Sequence, residues 1–450
     1  MAGTRGEFSS RVGFILAASG SAVGLGNIWG FPTQAANNGG AAFLLMYLVM
    51  AFSLAYPALM AELIIGRYAK ANIVTALRQV STNAFTRFIG GVTGFAGITT
   101  ASLILAFYAI VAGWMVAFAL APLGKLVGAD AIADWLMAFS TERNLVFMLV
   151  FMLMTCLIIS AGVRNGIEKW SSRLMPLLIV ILLGLIGYVM SLPGALEGLK
   201  VYLLPDFGRS FNFQLIVNAL GQAFFSLSLG VGTMLIYGSY ISKRENIASL
   251  GRTITLIDIG IAVLAGLLII PAMYVAQYNG VEIFDAAGRL IAEDTLIFDV
   301  LPALFDTMGG TGVVIGLAFF VLMTIAALTS SISMLEAPVS YVSEVHGLSR
   351  RSSTFLVSAA ITVISLVIVF NFAELFLWVI TVTTRYSQPL LGLMLCLFAG
   401  WVWHRNQVLE EIKAGFERAE HSWFWRIWPL YIRYICPIAI LTVFGQSVLG

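Results

Sequence analysis

Apolar residues fill long intervals of this chain, and charged residues are confined to the gaps between them. The intervals 12–36, 41–66, 88–122, 145–162, 170–192, 213–241, 253–277, 312–343, 353–371, 374–402 and 429–449 lie near or above the ~20 residues that cross a bilayer as a helix. The pattern predicts an all-α polytopic membrane protein with about eleven spans. Two polar stretches interrupt it. Residues 278–311 mix acidic and apolar positions at helical spacing and predict a cap of short helices; 404–428 is amphipathic and predicts an interfacial helix.

Two spans carry an internal break. The first reads SAVGLGNIWGFP over 21–32, with Gly24-Leu25-Gly26 inside the apolar run; the sixth reads SLSLGVG over 226–232. Lipid offers the backbone no partners, so a spanning helix should be an unbroken hydrogen-bond ladder. Gly20-x-x-x-Gly24 alone is equally consistent with a helix-packing face. A dinucleotide-binding turn is excluded, because no strand precedes it. Asn27 tips the balance, since its amide is costly at mid-bilayer without partners, and Ser226, Ser228, Thr329 and Ser330 offer hydroxyls in other spans. Unwound carbonyls with side-chain oxygens make a dehydrated cage for a hard monovalent cation, and freed N–H groups at a half-helix start attract a carboxylate. The breaks open two five-span blocks, 12–192 and 213–402, with an extra helix at 429–449. An odd number of spans per block makes the second an inverted repeat of the first, within one transporter domain covering 1–450.

Composition and charge sharpen this picture. The chain is 60% hydrophobic and 11% charged, where a soluble domain carries about 25% charged residues. Arg67, Lys70, Arg78 and Arg87, then Arg164, Lys169 and Arg173, then Lys243, Arg244 and Arg252, then Arg350 and Arg351, fall on one side. Arg405, Lys413, Arg418 and Arg426 join them, whereas Lys125, Arg143, Lys200, Arg209 and Arg289 fall on the other. The positive-inside rule then predicts a cytoplasmic (inner) membrane protein with a cytoplasmic N-terminus and an external C-terminus. The first span has no small-residue cleavage site and does not read as a signal peptide. Cys156, Cys396 and Cys436 fall within spans and read as packing residues. The net charge of +2 gives no reason to expect a nucleic-acid partner.

SAVGLGNIW followed by FP, NGGAAF (38–43), GQAFFSLSLGVG (221–232) and AALTSSIS (326–333) together resemble the neurotransmitter:sodium symporter family, in its bacterial amino-acid branch. The resemblance covers spans one to ten and implies two sodium sites. The first would use the carbonyl of Ala22 and the side chains of Asn27, Ser226 and Asp258; the second, the carbonyls of Gly20, Val23 and Ala326 with the hydroxyls of Thr329 and Ser330. Substrate would meet Ser21, Ala22, Gly24, Leu25 and Gly26 of span one, and Ile104 and Tyr108 of span three. Phe225, Ser226, Ser228 and Val231 of span six, with Ser330 and Met334 of span eight, would complete that pocket. Tyr108 and Phe225 would close over the substrate as a lid. Arg5, Glu344 and Tyr240 would form the cytoplasmic gate, with Phe8 where the family usually has Trp, and Glu62 would brace the unwound backbone of span six. Gly24 stands where amine-carrying members place an aspartate, which favours a substrate with its own carboxylate.

Three departures stand out. Gly30 replaces the arginine of the family's NxxRFP motif, and Phe376 aligns with that arginine's acidic partner, so outer closure should rest on aromatic and apolar contacts. Asp258 replaces an asparagine at the first sodium site. Chloride-dependent members bind an anion through residues matching Tyr47, Gln222 and Ser226, and Asp258 is expected to supply that charge, with a paired cation, so that chloride is not needed. The alternative is a protonated Asp258 hydrogen-bonded in the core. Arg385, deep in span ten, should pair with an acid, and Glu62, Glu336, Glu374 and Asp258 are the candidates. A direct contact of Arg385 with a substrate carboxylate is the other option.

Together these features predict a sodium-coupled secondary symporter that imports a small zwitterion, foremost a neutral or hydrophobic amino acid, by alternating access. An osmolyte or amine such as taurine or betaine is the nearer alternative; an ion channel of similar fold is a more distant one. An enzyme is not expected, since His346, His404 and His421 all fall in cytoplasmic segments and no catalytic or metal-ligand cluster occurs in the spans.

Overall fold

The computed structural model describes residues 6–204, 213–283 and 297–449, and every regular element among them is a helix. Eight helices are long and apolar enough to cross a membrane unbroken: Ala41–Ala69, Ala84–Leu126, Thr141–Ser160, Val163–Met190, Ile247–Tyr278, Gly310–His346, Arg350–Phe370 and Trp423–Gln446. They are spans two to five, seven to nine and eleven below. Two bent pairs raise the number to ten: Arg11–Ala22 with Gly26–Asn37 (span one, 55°) and Phe372–Val402 (span ten) with Arg405–Lys413, 99°. The segment between spans five and seven, span six, consists of Phe213–Ser226 and Thr233–Ser239. Six non-helical residues, 227–232, separate the two.

Local chemistry explains where these helices start. Ser10, Asn83, Ser140, Asn246 and Ser349 cap N-termini by accepting from backbone N–H groups of Gly13, Thr86, Arg143, Ser249 and Ser352. Between spans four and five the chain turns at Gly162, whose φ of +93° suits glycine. Four spans carry one wide turn just before a proline. Phe31, Tyr56, Gln388 and Cys436 donate five residues back, to Gly26, Ala51, Thr383 and Tyr431, and each precedes Pro32, Pro57, Pro389 or Pro437. Proline cannot donate to the carbonyl four residues before it, and the widened turn absorbs the mismatch.

Spans three and eight pack along one another, with spans four and nine against them. Span two meets the second half of span six at backbone distance: a Cβ on Gly238 would lie 2.7 Å from the Leu63 carbonyl oxygen. Small residues permit that approach.

The region 404–428 differs from the single interfacial helix expected. Arg405–Lys413 is one short helix, turns follow, and Trp423 already begins the last span, six residues before the predicted start. Gly415 sits against the Glu245 backbone, and Arg67 bonds the Glu411 carboxylate at 2.7 Å, so tertiary contacts fold the segment back on itself. Of the stretch 278–311, Val300–Thr307 is a short helix, and 284–296 lies outside the described residues.

Candidate functional site

Span one stops at Ala22. Val23 is extended (φ −71°, ψ 103°), and its N–H makes the last bond of the first half, to Ser19. In span six Ser228 is left-handed at φ +52°, and Gly230 and Gly232 follow at +90° and +77°. A non-glycine residue in that region is uncommon and persists when its surroundings hold it. Here the Glu62 carboxylate accepts from Gly230 N at 2.7 Å and Leu235 N at 3.2 Å, and Gln388 Nε2 donates to the Leu229 carbonyl at 2.9 Å. These bonds pair Gly230 N, Leu235 N and Leu229 O, groups that burial would otherwise leave at a cost.

The two breaks face each other. Ser330 Oγ lies 3.4, 3.2 and 3.2 Å from the carbonyl oxygens of Gly20, Ser21 and Val23, and Ser228 Oγ donates to Ser21 O at 3.2 Å. One hydroxyl proton serves one acceptor at a time, so these oxygens form an acceptor-rich cradle that suits a hard cation. Thr329, the residue before Ser330 on span eight, has its hydroxyl 3.0 Å from Ile325 O and 3.1 Å from Ala326 O. A Cβ on Gly20 would sit 3.1 Å from the Thr329 Cβ and 3.2 Å from Met175 Sδ, so a larger residue would have to push these neighbours back by a few tenths of an ångström. Among the described residues no group of three or more His, Cys, Asp or Glu side chains gathers for a metal; the oxygens here are mostly main-chain.

A second cluster lies between spans one, six and seven. Asn27 Nδ2 is 2.8 Å from Ser226 Oγ and 2.7 Å from Asp258 Oδ1; Ser226 Oγ donates to Asp258 Oδ2 at 2.9 Å. Tyr47 OH is 3.3 Å from Ser226 Oγ, and Gln222 Nε2 donates to Gly26 O at 2.7 Å. Asp258 is 1% exposed, and no basic side chain among the described residues pairs with it. The cation expected for it is therefore not supplied by the described residues. Asn27 Oδ1 accepts from Gly24 N at 3.1 Å, tying this cluster to the break.

Between the clusters lies the region assigned to substrate. Tyr108 OH accepts from Leu25 N at 3.4 Å. A Cβ on Gly24 would meet Ser330 Oγ at 2.5 Å and Tyr108 OH at 3.1 Å. Ala22, Leu25, Ile104, Val231 and Met334 are buried apolar side chains of the surrounding core. Ser21 Oγ is buried without a partner. Phe225 and Tyr108 make no ring contact; Phe225 is 37% exposed, lies over Gly26 and lines a cavity.

At the far end of span one, Arg5 lies outside the described residues. Glu344 accepts from the Asn72 backbone and side-chain amides, both at 2.9 Å. Phe8 packs edge-on against Tyr237 and Tyr240 at 5.9 and 6.1 Å. Tyr240 OH donates to Glu336, which Arg350 also holds at 2.6 Å. That Glu336–Arg350 pair was missed in the sequence, where Glu336 stood only as a candidate for Arg385. Ser9 and Ser10 hydroxyls on Glu168, at 2.6 and 3.2 Å, were missed as well. At the other end, Phe376 packs on Phe372 and Trp114 at 4.4 and 5.8 Å, and Trp29 on Phe298 at 5.9 Å. The acid expected for Arg385 is absent: no ion pair forms there among the described residues.

The chain matches the profile of the sodium:neurotransmitter symporter family over residues 5–135 and 137–450. It is 32% identical to YhdH of Bacillus subtilis, described as an uncharacterised sodium-dependent transporter, over 97% of this chain and 96% of that one. Identity to the rat sodium- and chloride-dependent taurine transporter is 27%, over 63% of this chain and 52% of that one. The crystal structure of MhsT in complex with L-phenylalanine superposes with a TM-score of 0.83 at 34% identity, covering 98% of this chain and 100% of that one. The chain is a polytopic membrane transporter and belongs to the sodium:neurotransmitter symporter family.

Proposed function

We propose that this transporter couples the inward movement of sodium to import of a neutral, hydrophobic amino acid, without chloride. The observation that carries the reading is the convergence of the Gly20, Ser21 and Val23 carbonyls on Ser330, opposite the broken backbone of span six. Sodium at this cradle would bind Gly20, Val23 and Ala326 carbonyls with Thr329 and Ser330 hydroxyls. A second sodium would sit at Ala22 O, Asn27, Ser226 and Asp258, whose carboxylate supplies the negative charge that chloride provides elsewhere.

The amino acid would rest between them. Its carboxylate would meet the second sodium and the N–H groups around Leu25, where Tyr108 OH already lies. Its ammonium would meet carbonyls of the two breaks, and its side chain the apolar wall of Ile104, Val231 and Met334. Gly24 stands where amine carriers of the family place an aspartate, which favours a substrate with its own carboxylate, and the L-phenylalanine of MhsT supports a hydrophobic side chain. Ion binding draws the two breaks together, Phe225 swings over the substrate, and spans one, two, six and seven rock against the remainder. Sodium thus stabilises the geometry that binds substrate, and its gradient drives release inward. The reading includes a five-plus-five inverted repeat in the inner membrane, with the N-terminus cytoplasmic.

A thermal-shift screen of the twenty amino acids, taurine, betaine and simple amines, in sodium and in choline, tests it. A ligand that binds only the folded state raises its apparent stability by mass action. Stabilisation by hydrophobic amino acids only in sodium is expected. Stabilisation by taurine or amines alone would change the cargo, and stabilisation indifferent to sodium would refute the coupling.

A further inference from the structure

Arg143 is a buried cation that the proposed transport site does not use. It lies fully enclosed at the start of span four, and no carboxylate pairs with it among the described residues. Its Nε donates to the carbonyl of Leu136, in the short helix Asp130–Met137, at 3.0 Å. Nη1 donates to Asn144 Oδ1 at 3.1 Å, and Nη2 has no partner. Two aromatic faces stand in place of an acid: Cζ lies 5.3 Å from the Phe118 ring centre and 5.1 Å from that of Phe139. Both distances fall within the ~6 Å over which a ring face attracts a cation, and that attraction strengthens away from water. Such contacts must offset the desolvation of the charge.

The contacts of Arg143 converge on one feature. Asn144 Oδ1 also accepts from Trp114 Nε1 at 2.8 Å. Arg143 thus orients three rings, Phe118 and Phe139 by their faces and Trp114 through the amide. The same three surround Phe298, at 5.0, 5.7 and 5.5 Å, with Phe320 at 6.4 Å. Phe298 also meets Trp29 of span one, edge-on at 5.9 Å. Trp114 in turn packs at 5.8 Å on Phe376, the residue aligned with the acid of the family's outer ion pair. A ring seated among rings therefore joins the broken span one to spans three and eight, in a protein that lacks that ion pair. Aromatic contacts depend on ring geometry, and phenylalanine has no polar handle to fix its own, so the cation beneath these rings sets how well they grip.

We propose that Arg143 is a positioning residue for outer closure: it aligns Trp114, Phe118 and Phe139 into the socket that holds Phe298 when the outer side shuts over a bound amino acid. The proposal rests on the transport reading above and concerns closing, not contact with the substrate.

The test reads closure and turnover on the full-length protein. Thr384 lines the cavity of about 580 Å³ beside Phe225, and its hydroxyl bonds only the Ile380 carbonyl. Cys156, Cys396 and Cys436 are buried, so the thiol of Thr384→Cys reports access to that cavity. Its labelling by a membrane-impermeant methanethiosulfonate is followed in sodium, with and without L-phenylalanine. The amino acid should slow labelling at least about fivefold by favouring the closed state. Arg143→Met replaces the buried cation with an apolar chain, an exchange that need not destabilise the fold. Slowing should then fall below about twofold while sodium-dependent L-phenylalanine binding remains. In proteoliposomes without the reporter cysteine, Arg143→Met and Phe298→Ala should each lower the maximal L-phenylalanine uptake rate about tenfold, and the double variant no further than Phe298→Ala, because residues acting through one contact are not additive. Should Arg143→Met bind nothing, Trp114→Phe decides: it removes the N–H held by Asn144, keeps an aromatic ring, and should lose at least about half of the slowing. Full slowing in folded Arg143→Met or in Trp114→Phe, uptake losses that multiply in the double variant, or no slowing in the parent despite bound L-phenylalanine would overturn the proposal. Absence of sodium-dependent binding of any of the twenty amino acids to the unsubstituted protein would instead overturn the transport reading, and this proposal with it.

Discussion

Asp258→Asn isolates the charge of the proposed chloride-free sodium site. The carboxylate accepts from Asn27 Nδ2 at 2.7 Å and from Ser226 Oγ at 2.9 Å, in a position 1% exposed. An asparagine keeps one oxygen for Asn27, and the Ser226 hydroxyl rotates to accept from the new amide. Every bond is retained at nearly constant volume, so the stability change should stay within about 1 kcal/mol. Only the charge is lost. A sodium ion bound by Asn27 and Ser226 would lie about 4 Å or less from that carboxylate, and unit charges at this separation interact by about 4 kcal/mol at an effective dielectric of 20. Removing the charge also removes its desolvation cost, which leaves a net effect of about 1.4–3 kcal/mol, or about 10- to 150-fold in apparent sodium affinity. The assay is amino-acid uptake into proteoliposomes against sodium concentration, in gluconate and in chloride. The unsubstituted protein should ignore the anion. Asp258→Asn should need far more sodium in gluconate and recover in chloride, through Tyr47, Gln222 and Ser226. An unchanged half-saturating sodium concentration in folded Asp258→Asn, or collapse of native uptake in gluconate, would refute the reasoning.

Three other substitutions follow from the same geometry. Glu62→Gln replaces one carboxylate oxygen by a donor facing a buried N–H of the span-six break, costing about 1–3 kcal/mol; a lowered thermal midpoint with impaired sodium-dependent binding is expected, whereas unchanged binding would deny that this bracing matters. Gly24→Ala drives a methyl to 2.5 Å from Ser330 Oγ, so sodium-dependent amino-acid binding should fall at least about tenfold, about 1.4 kcal/mol. Native-like affinity would show that substrate does not sit there. Arg350→Ala leaves the fully buried Glu336 carboxylate without its cation, a loss of about 3 kcal/mol, and Glu336→Gln in the same chain should restore much of the thermal midpoint.

The residue pattern carried the architecture further than the contacts. Glycines and a lone amide inside apolar runs marked the interrupted helices, because lipid penalises any unbonded backbone. A need of Asn27 for hydroxyl partners in other spans was readable for the same reason, and Ser226 is one of them; that Asp258 joins them followed from the family resemblance. Pairing was not readable where partners sit on different helices, or where none is found among the described residues. Glu336 and Arg350 are joined by a helix-to-helix turn, and Arg350 looked like an ordinary loop cation. Arg385 was expected to find an acid, yet its side chain is exposed and pairs with none among the described residues. The stretch 404–428 reads as one amphipathic helix by spacing, yet the Arg67–Glu411 contact and the close fit of Gly415 bend it, and no local pattern encodes that.

The central claim is that sodium and an amino acid share the space where spans one and six are broken. Parallel uptake of radioactive sodium and labelled L-phenylalanine into proteoliposomes tests it most directly. The account predicts saturable sodium entry that appears only with the amino acid and amino-acid entry that appears only with sodium. Sodium flux without the amino acid, or amino-acid uptake indifferent to sodium, would contradict it.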